Sequence, residues 1–221
     1  MSEFAQFLHE LWVSRWAIAQ GLGTTVVISM LAIVLGTILG TFVGLVLVYG
    51  RWVARFLVRI YVDFVRGTPV LVLILASFYL LSQIGIQLTA FQAGLVALVI
   101  FCSTHVGENL RGALLSLPKG QTEAAKAIGL TFPQVFAYVL APQALRQALP
   151  SWINTATEMV KASTLLLVIG VAELLLVTKQ IIARNFMSLE FYFFAGLIYF
   201  LIDYGIERVG KFVERRVALP S

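Results

Sequence analysis

Two charged residues within an apolar stretch are the side chains best placed to do chemistry. Glu158 and Lys161 stand three positions apart in the segment from 151 to 177, and this spacing puts them on one face of a helix. Ionisable groups at membrane depth are costly, and they usually face a polar cavity or one another. The two residues therefore either border a path for a small polar solute or form an ion pair that only stabilises the protein.

Two further sites carry polar groups next to apolar segments. The Thr68-Pro69 pair interrupts a helical pattern, and the freed backbone groups must be satisfied by protein or by a water-lined cavity. We expect Thr68 to line such a path rather than to mark a plain kink. Glu108 and Arg111 have i, i+3 spacing at the end of another apolar segment, which favours a structural ion pair.

Residues for enzymatic or metal chemistry are scarce. The sequence has two histidines, His9 and His105, and one cysteine, Cys102, which lies inside an apolar stretch. They supply neither a nucleophile and base pair nor a metal-ligand cluster. We expect no catalytic residues and no metal site. Glu173, deep in the segment from 151 to 177, has no assigned role beyond an expectation that it faces protein.

The composition is that of an integral membrane protein. Hydrophobic residues make up 60% of the chain and charged residues 12%, whereas a soluble domain must cover its surface with charge. About 20 apolar residues cross the hydrocarbon core as a helix. The sequence predicts an all-α fold with five transmembrane helices, at about 22–49, 70–81, 91–108, 151–177 and 191–206.

The distribution of basic residues sets the predicted orientation. With the N-terminus in the periplasm, twelve of the 16 lysines and arginines lie on the cytoplasmic side. Arg15, Lys179 and Arg184 then lie outside, and Lys161 lies within the membrane. An odd number of spans leaves the C-terminus in the cytoplasm. The net charge of +5 is thus a topology signal, and we expect no nucleic-acid partner.

The chain is predicted to be one transmembrane domain over 21–216, with a short tail at 217–221. Residues 1–20 have no basic region typical of a cleavable signal peptide. Their apolar and polar residues alternate at helical spacing, which predicts an amphipathic helix, either at the membrane interface or packed on the bundle. Gly36, Gly40 and Gly44 are four apart and permit close packing against a neighbouring helix.

The longest polar connection, about 112–150, contains a predicted docking element. Residues 121–128 are strong helix formers, and Gly129 can end that helix in a left-handed conformation. A short helix at the cytoplasmic face, ending in glycine, suits the docking of a partner.

This connection also carries a motif. Glu123-Ala124-Ala125, three residues, Gly129, nine residues and then 139–142 (Val-Leu-Ala-Pro) resemble the coupling loop of permeases of ATP-binding-cassette (ABC) importers. Val139 and Ala141 are conservative departures from its pattern. Five further stretches resemble the branch of these permeases that carries polar amino acids. They are 21–29, 66–69, 111–121, 142–150 and 161–165.

The resemblance implies a type I importer fold in a bacterial inner membrane, with cytoplasmic coupling helices between spans three and four. It implies transport of a polar amino acid from a periplasmic solute-binding protein, driven by a dimer of ATP-binding subunits. A second permease subunit, identical or paralogous, is implied as well. The sequence has no Gly-x-x-x-x-Gly-Lys-Ser/Thr phosphate loop, so the partner subunits bind ATP and Mg²⁺ and this chain is not an enzyme.

Family resemblance also assigns residues. Glu123, Ala124, Ala125 and Gly129 would couple the permease to the ATPase, and the stretch 161–165, with Lys161 and Ser163, would lie beside the substrate path, which supports the path role expected for Glu158 and Lys161. Ala162 stands where the family has an aspartate, which weakens an inference towards a cationic amino acid. The alternatives are a related solute, such as an opine, cystine or another amino acid derivative, or transport independent of ATP. The latter predicts inverted repeats or more spans, and neither is visible.

Overall fold

The computed structural model describes residues 3–217, and this part of the chain is built from α-helices joined by short turns. A π-helical segment, Val135–Leu140, joins α6 to α7, and a 3₁₀ segment, Thr164–Ile169, extends α7. The helices are α1 Glu3–Tyr49, α2 Trp52–Gly67, α3 Val70–Gln83, α4 Ala90–Ser116, α5 Lys119–Ala127, α6 Phe132–Gln134, α7 Ala141–Ser163, α8 Leu174–Asn185 and α9 Ser188–Val217.

Three of these helices, α1, α4 and α9, are each long and apolar enough to cross a membrane. Two further stretches pass the same test only as bent pairs. The pair α2 and α3 bends by 108°, and the helix over Phe132–Ile169 bends by 52° before α8. The predicted segments at 22–49, 91–108 and 191–206 lie within single helices, the one at 70–81 lies in α3 alone, and the one at 151–177 lies in the second bent stretch.

From Glu3 onward the N-terminal residues form the first turns of α1, so the helix predicted over residues 1–20 is continuous with the first apolar segment. No proline interrupts the sequence before Tyr49, and the helix runs unbroken from Glu3. Its first turns pack on α9, where the ring of Phe7 meets that of Phe191 edge to face at 5.3 Å. The tail predicted at 217–221 lies, beyond Val217, outside the described residues.

The helices α1 and α4 approach each other closely along a row of glycines. A Cβ atom on Gly36 would lie 2.5 Å from the Cβ of Cys102, and one on Gly40 would lie 2.7 Å from the carbonyl oxygen of Ser103. A Cβ atom on Gly44 would likewise lie 2.8 Å from the carbonyl oxygen of Gly107. The predicted close packing along these glycines is confirmed, and α4 is the neighbour.

The fourth predicted segment, 151–177, is not one helix. The 3₁₀ segment ends at Gly170, which has a φ of +83°, and α8 begins four residues later at Leu174. Glycine adopts this left-handed conformation without the clash that other residues suffer. The sequence pattern missed the break because the residues on both sides of Gly170 are apolar.

The polar connection is also shorter than the predicted 112–150. The helix α4 continues to Ser116, the short helix α5 follows at Lys119–Ala127, and the helical rod that leads into α7 begins at Phe132. The side chain of Gln134 accepts a hydrogen bond from the backbone N–H of Thr131 at 2.8 Å, which satisfies one donor at the start of the helix. Residues 117–131, which include α5, therefore form the connection between α4 and the helical rod that begins at Phe132.

Replacing Gly40 with alanine tests the contact between α1 and α4. The new methyl group would meet the Ser103 carbonyl oxygen, and α1 and α4 would have to separate. We expect Gly40→Ala to lower the free energy of unfolding by about 1–3 kcal/mol, measured by denaturant titration of the purified protein in detergent. Gly23→Ala is the matched control, because a Cβ at Gly23 has no neighbour within 4 Å. Equal stability of the two variants would contradict the close contact.

Candidate functional site

The first candidate site is α5, a nine-residue helix between α4 and α6. Gly129 follows it with a φ of +83°. The N–H of Gly129 donates to the carbonyl of Lys126 at 2.9 Å, and that of Leu130 to the carbonyl of Ala125 at 3.2 Å. This pair of bonds is the Schellman motif, which ends a helix and reverses the chain. The left-handed end predicted at Gly129 is confirmed.

The three residues Glu123, Ala124 and Ala125 of α5 lie on two different surfaces. Glu123 and Ala124 are exposed, whereas Ala125 is 5% exposed and packs with Leu114 of α4 and Ala144 of α7. The sequence analysis assigned both alanines to coupling with the ATPase. In the structure Ala125 holds α5 on the bundle, while Glu123 and Ala124 are free to meet another protein.

The second candidate site is a polar stripe on α7. The stripe consists of Gln147, Ser151, Asn154, Glu158 and Lys161. These residues are four, three, four and three positions apart, so they share one helix face, and all are exposed in this chain. The opposite face is buried and includes Ile153, Ala156 and Met159. The stripe thus faces away from the core formed by this chain.

Glu158 and Lys161 do not form the ion pair that was one alternative for them. The Nζ atom of Lys161 lies 3.5 Å from the Oδ2 atom of Asp203 in α9. Within residues 3–217, Glu158 makes no hydrogen bond and no ion pair. Sequence reasoning missed Asp203, although an aspartate inside an apolar segment is itself a signal.

The other two residues predicted beside the path are engaged elsewhere. Ser163 is fully buried, and its hydroxyl donates to the carbonyl of Val160 at 2.7 Å. The hydroxyl of Thr68 donates to the carbonyl of Phe64 at 2.7 Å, at the end of α2 where carbonyl groups lack helical partners. The structure therefore places Glu158 and Lys161 on the stripe and Ser163 off it.

Glu108 lies at the centre of a cluster of arginines. Arg111 donates to both of its carboxylate oxygens, the shortest contact being 2.7 Å. Arg59 of α2 approaches at 2.9 Å and Arg66 at 3.8 Å. The Glu108–Arg111 contact is thus one part of a larger junction that ties α2 to α4.

Glu173, which had no assigned role, begins α8. Its wholly buried carboxylate accepts hydrogen bonds from the backbone N–H groups of Leu175 and Leu176 at 3.0 and 2.7 Å. The hydroxyl of Tyr199 in α9 donates to it at 2.5 Å. A carboxylate at this position satisfies free backbone donors and meets the positive end of the helix dipole. Glu173 therefore stabilises the bend before α8.

Metal binding finds no support in this part of the chain. Among residues 3–217, no three histidine, cysteine, aspartate or glutamate side chains lie together so that they could hold a metal ion. The chemistry available at the stripe is that of charge recognition and hydrogen bonding.

Comparison with known proteins places the chain among transport proteins. The family described as "Binding-protein-dependent transport system inner membrane component" matches residues 32–219. The glutamine transport system permease protein GlnP of Escherichia coli K12 is 31% identical, over 95% of this chain and 96% of its own length. The octopine transport system permease protein OccM of Rhizobium radiobacter is 30% identical, over 92% and 87%.

A solved structure, described as an amino acid ABC transporter with histidines, has the same fold. Its TM-score is 0.88 at 31% identity, and the match covers 95% of this chain and 98% of that one.

Proposed function

Because the chain belongs to the family of binding-protein-dependent transport system inner membrane components, we propose that it carries a polar amino acid into the cytoplasm as the permease of an ABC importer. The observation that carries this proposal is the match, over 95% of the chain, to the solved amino acid ABC transporter. ATP is hydrolysed by a separate pair of ATP-binding subunits, which bind the Mg²⁺ as well.

The proposed topology counts each bent stretch as one crossing, which gives five, and in the first of them α3 crosses while α2 lies at the membrane surface. The N-terminus then lies in the periplasm and the C-terminus in the cytoplasm of a bacterial inner membrane. The excess of basic residues on the cytoplasmic side supports this orientation. So does the position of α5, which then faces the compartment that contains ATP.

A continuous helix supports the proposed coupling between α5 and the stripe. The helical rod from Phe132 to Ser163 passes through the π-helical segment without a break, and at 1.5 Å per residue it is about 48 Å long. Its cytoplasmic end packs against Ala125 through Val135 and Leu140. When ATP binding closes the partner subunits on α5, this rod moves with it and the stripe changes its exposure to the two sides of the membrane.

The orientation of the stripe supports a second permease subunit. Five polar residues on one exposed face of a membrane helix require water or another polar surface, because lipid cannot satisfy them. A second copy or a paralogue facing this stripe encloses a path between the two subunits. A periplasmic solute-binding protein delivers the amino acid to its outer end.

The charges on the stripe suggest how the cargo is recognised. Glu158 has no partner in residues 3–217 and is available for an ammonium group, while Lys161 shares its charge with Asp203 and can meet a carboxylate. Thr68 remains a proposed path residue, because it lies at the break between α2 and α3, where it caps the end of α2. An opine is a second candidate cargo, since the chain is 30% identical to a permease named for octopine.

Reconstitution tests the function. The permease, its ATP-binding subunits and its binding protein are placed in liposomes, and uptake of radiolabelled glutamine, histidine, glutamate, arginine and octopine is measured with and without ATP. We expect one of these solutes to be taken up, and its uptake to require both ATP and the binding protein. Full-rate uptake by this chain alone, without ATP, contradicts the proposal.

Replacing Gly129 with valine tests the coupling role of α5. A β-branched residue at a φ of +83° costs about 1–3 kcal/mol and displaces the end of α5. We expect Gly129→Val to reduce uptake roughly tenfold or more while ATP hydrolysis continues and the binding protein keeps its affinity. Gly120→Val is the control, because Gly120 is helical and has open space around it. Normal uptake by Gly129→Val rules out the coupling role.

Replacing Glu158 with glutamine tests the path. The variant keeps the size of the side chain but removes its charge, and a hydrogen bond to a charged group contributes about 1.5–3 kcal/mol. We expect uptake to fall roughly tenfold or more, with basal ATP hydrolysis unchanged. Ser163→Ala should transport like the wild type, since its hydroxyl bonds only its own helix. If Ser163→Ala loses uptake and Glu158→Gln does not, the assignment of the path to the stripe is wrong.

A further inference from the structure

The helix α2 has the form of a helix that lies along a membrane surface. Its bend of 108° relative to α3 sets it roughly parallel to the bilayer when α3 crosses it. Trp52, Phe56 and Phe64 are 78%, 58% and 67% exposed, and arginines recur every fourth residue from Arg51 to Arg59. Aromatic residues at headgroup level and arginines beside them are typical of interfacial helices.

A cavity of about 560 Å³ lies between this helix and the neighbouring ends of α1 and α4. Its basic wall is formed by Arg55, Arg59 and Arg111, and its apolar wall includes Trp52, Phe56 and Leu115. The cavity therefore offers charge at one side and apolar surface at the other, as a molecule with an anionic head and a hydrocarbon chain requires.

The charges around this cavity leave a positive excess. Glu108 accepts from Arg59 and Arg111 and lies 3.8 Å from Arg66, and Asp63 pairs with Arg59. Arg55 donates only to the carbonyl oxygens of Val48 and Gly50, each at 3.2 Å. Within residues 3–217 no carboxylate pairs with Arg55, so its positive charge is not neutralised.

We propose that this cavity binds the phosphate group of an anionic phospholipid from the cytoplasmic leaflet, with Arg55 as the principal contact. The acyl chains lie along the exposed apolar side of α2. Basic pockets between membrane helices on the cytoplasmic side bind such headgroups. A lipid fits better than a free phosphate ion, because five of the eight lining residues are apolar. The proposal rests on the cytoplasmic position of α2 in the proposed topology.

Native mass spectrometry of the whole complex tests the proposal. The permease with its ATP-binding subunits is extracted from nanodiscs that contain equal amounts of phosphatidylglycerol and phosphatidylcholine, and the bound lipids are counted. We expect the wild type to retain phosphatidylglycerol preferentially. Arg55→Gln should retain about fivefold less of it, whereas Arg51→Gln, on the same helix but outside the cavity, should match the wild type.

A second pair of variants leaves the arginines and their contacts in place. Leu115 is 61% exposed, so either replacement is compatible with folding. Leu115→Glu places a negative charge in the cavity and should reduce the retained phosphatidylglycerol about fivefold. Leu115→Gln has nearly the same shape without the charge and should retain it like the wild type.

Several results would overturn the proposal. These are equal retention of the two lipids by the wild type, equal retention by Leu115→Glu and Leu115→Gln, or loss of phosphatidylglycerol when millimolar inorganic phosphate is added. Retention that appears only after the ATP-binding subunits are removed would also overturn it, since the cavity would then be a protein interface. Lipid retention is measured without transport. A complex that retains the lipid but shows no ATP-driven uptake therefore contradicts the proposed function alone.

Discussion

The close approach of α1 and α4 is the constraint on which the rest of the bundle depends. In hydrocarbon there is no hydrophobic force between helices, so two long helices associate by packing of small residues and by contacts between their backbones. Gly36, Gly40 and Gly44 bring α1 against α4 along about two turns. Because α1 runs unbroken for 47 residues, this contact also sets the position of α8 and α9, which pack on its first half.

The charged groups within the apolar segments of the bundle differ in their burial and in their partners. Glu173 is buried with donors around it, and its role is structural. Lys161 and Asp203 form an ion pair in which the side chain of Lys161 is largely exposed. Glu158 has neither burial nor a partner in the described chain. Since an unsatisfied charge in a membrane is costly, the contrast with Glu173 separates a residue that stabilises the fold from one that awaits a ligand or another subunit.

Much of this could be predicted from the sequence where the signal is local. The end of α5 at Gly129 follows from one glycine after a run of helix formers, and the glycine contact follows from a spacing of four. The break at Gly170 could not be predicted, because what stabilises it is Glu173 meeting Tyr199, 26 residues further on. The same holds for the burial of Ser163. Its family position suggested a role, but its burial depends on long-range packing, and the partnership of Lys161 with Asp203 joins two different helices.

The two bent stretches have a consequence for how the protein enters the membrane during synthesis. With 14 and 12 residues, α3 and α8 are shorter than the roughly 20 residues that a helix needs to cross the hydrocarbon core. Neither is a self-sufficient signal for the insertion machinery. The carboxylate of Glu173 accepts hydrogen bonds from the first turn of α8 itself, and α9 follows α8 after two residues. The helices α8 and α9 are therefore suited to insert together as a hairpin. The positions of the breaks thus determine which helices insert together.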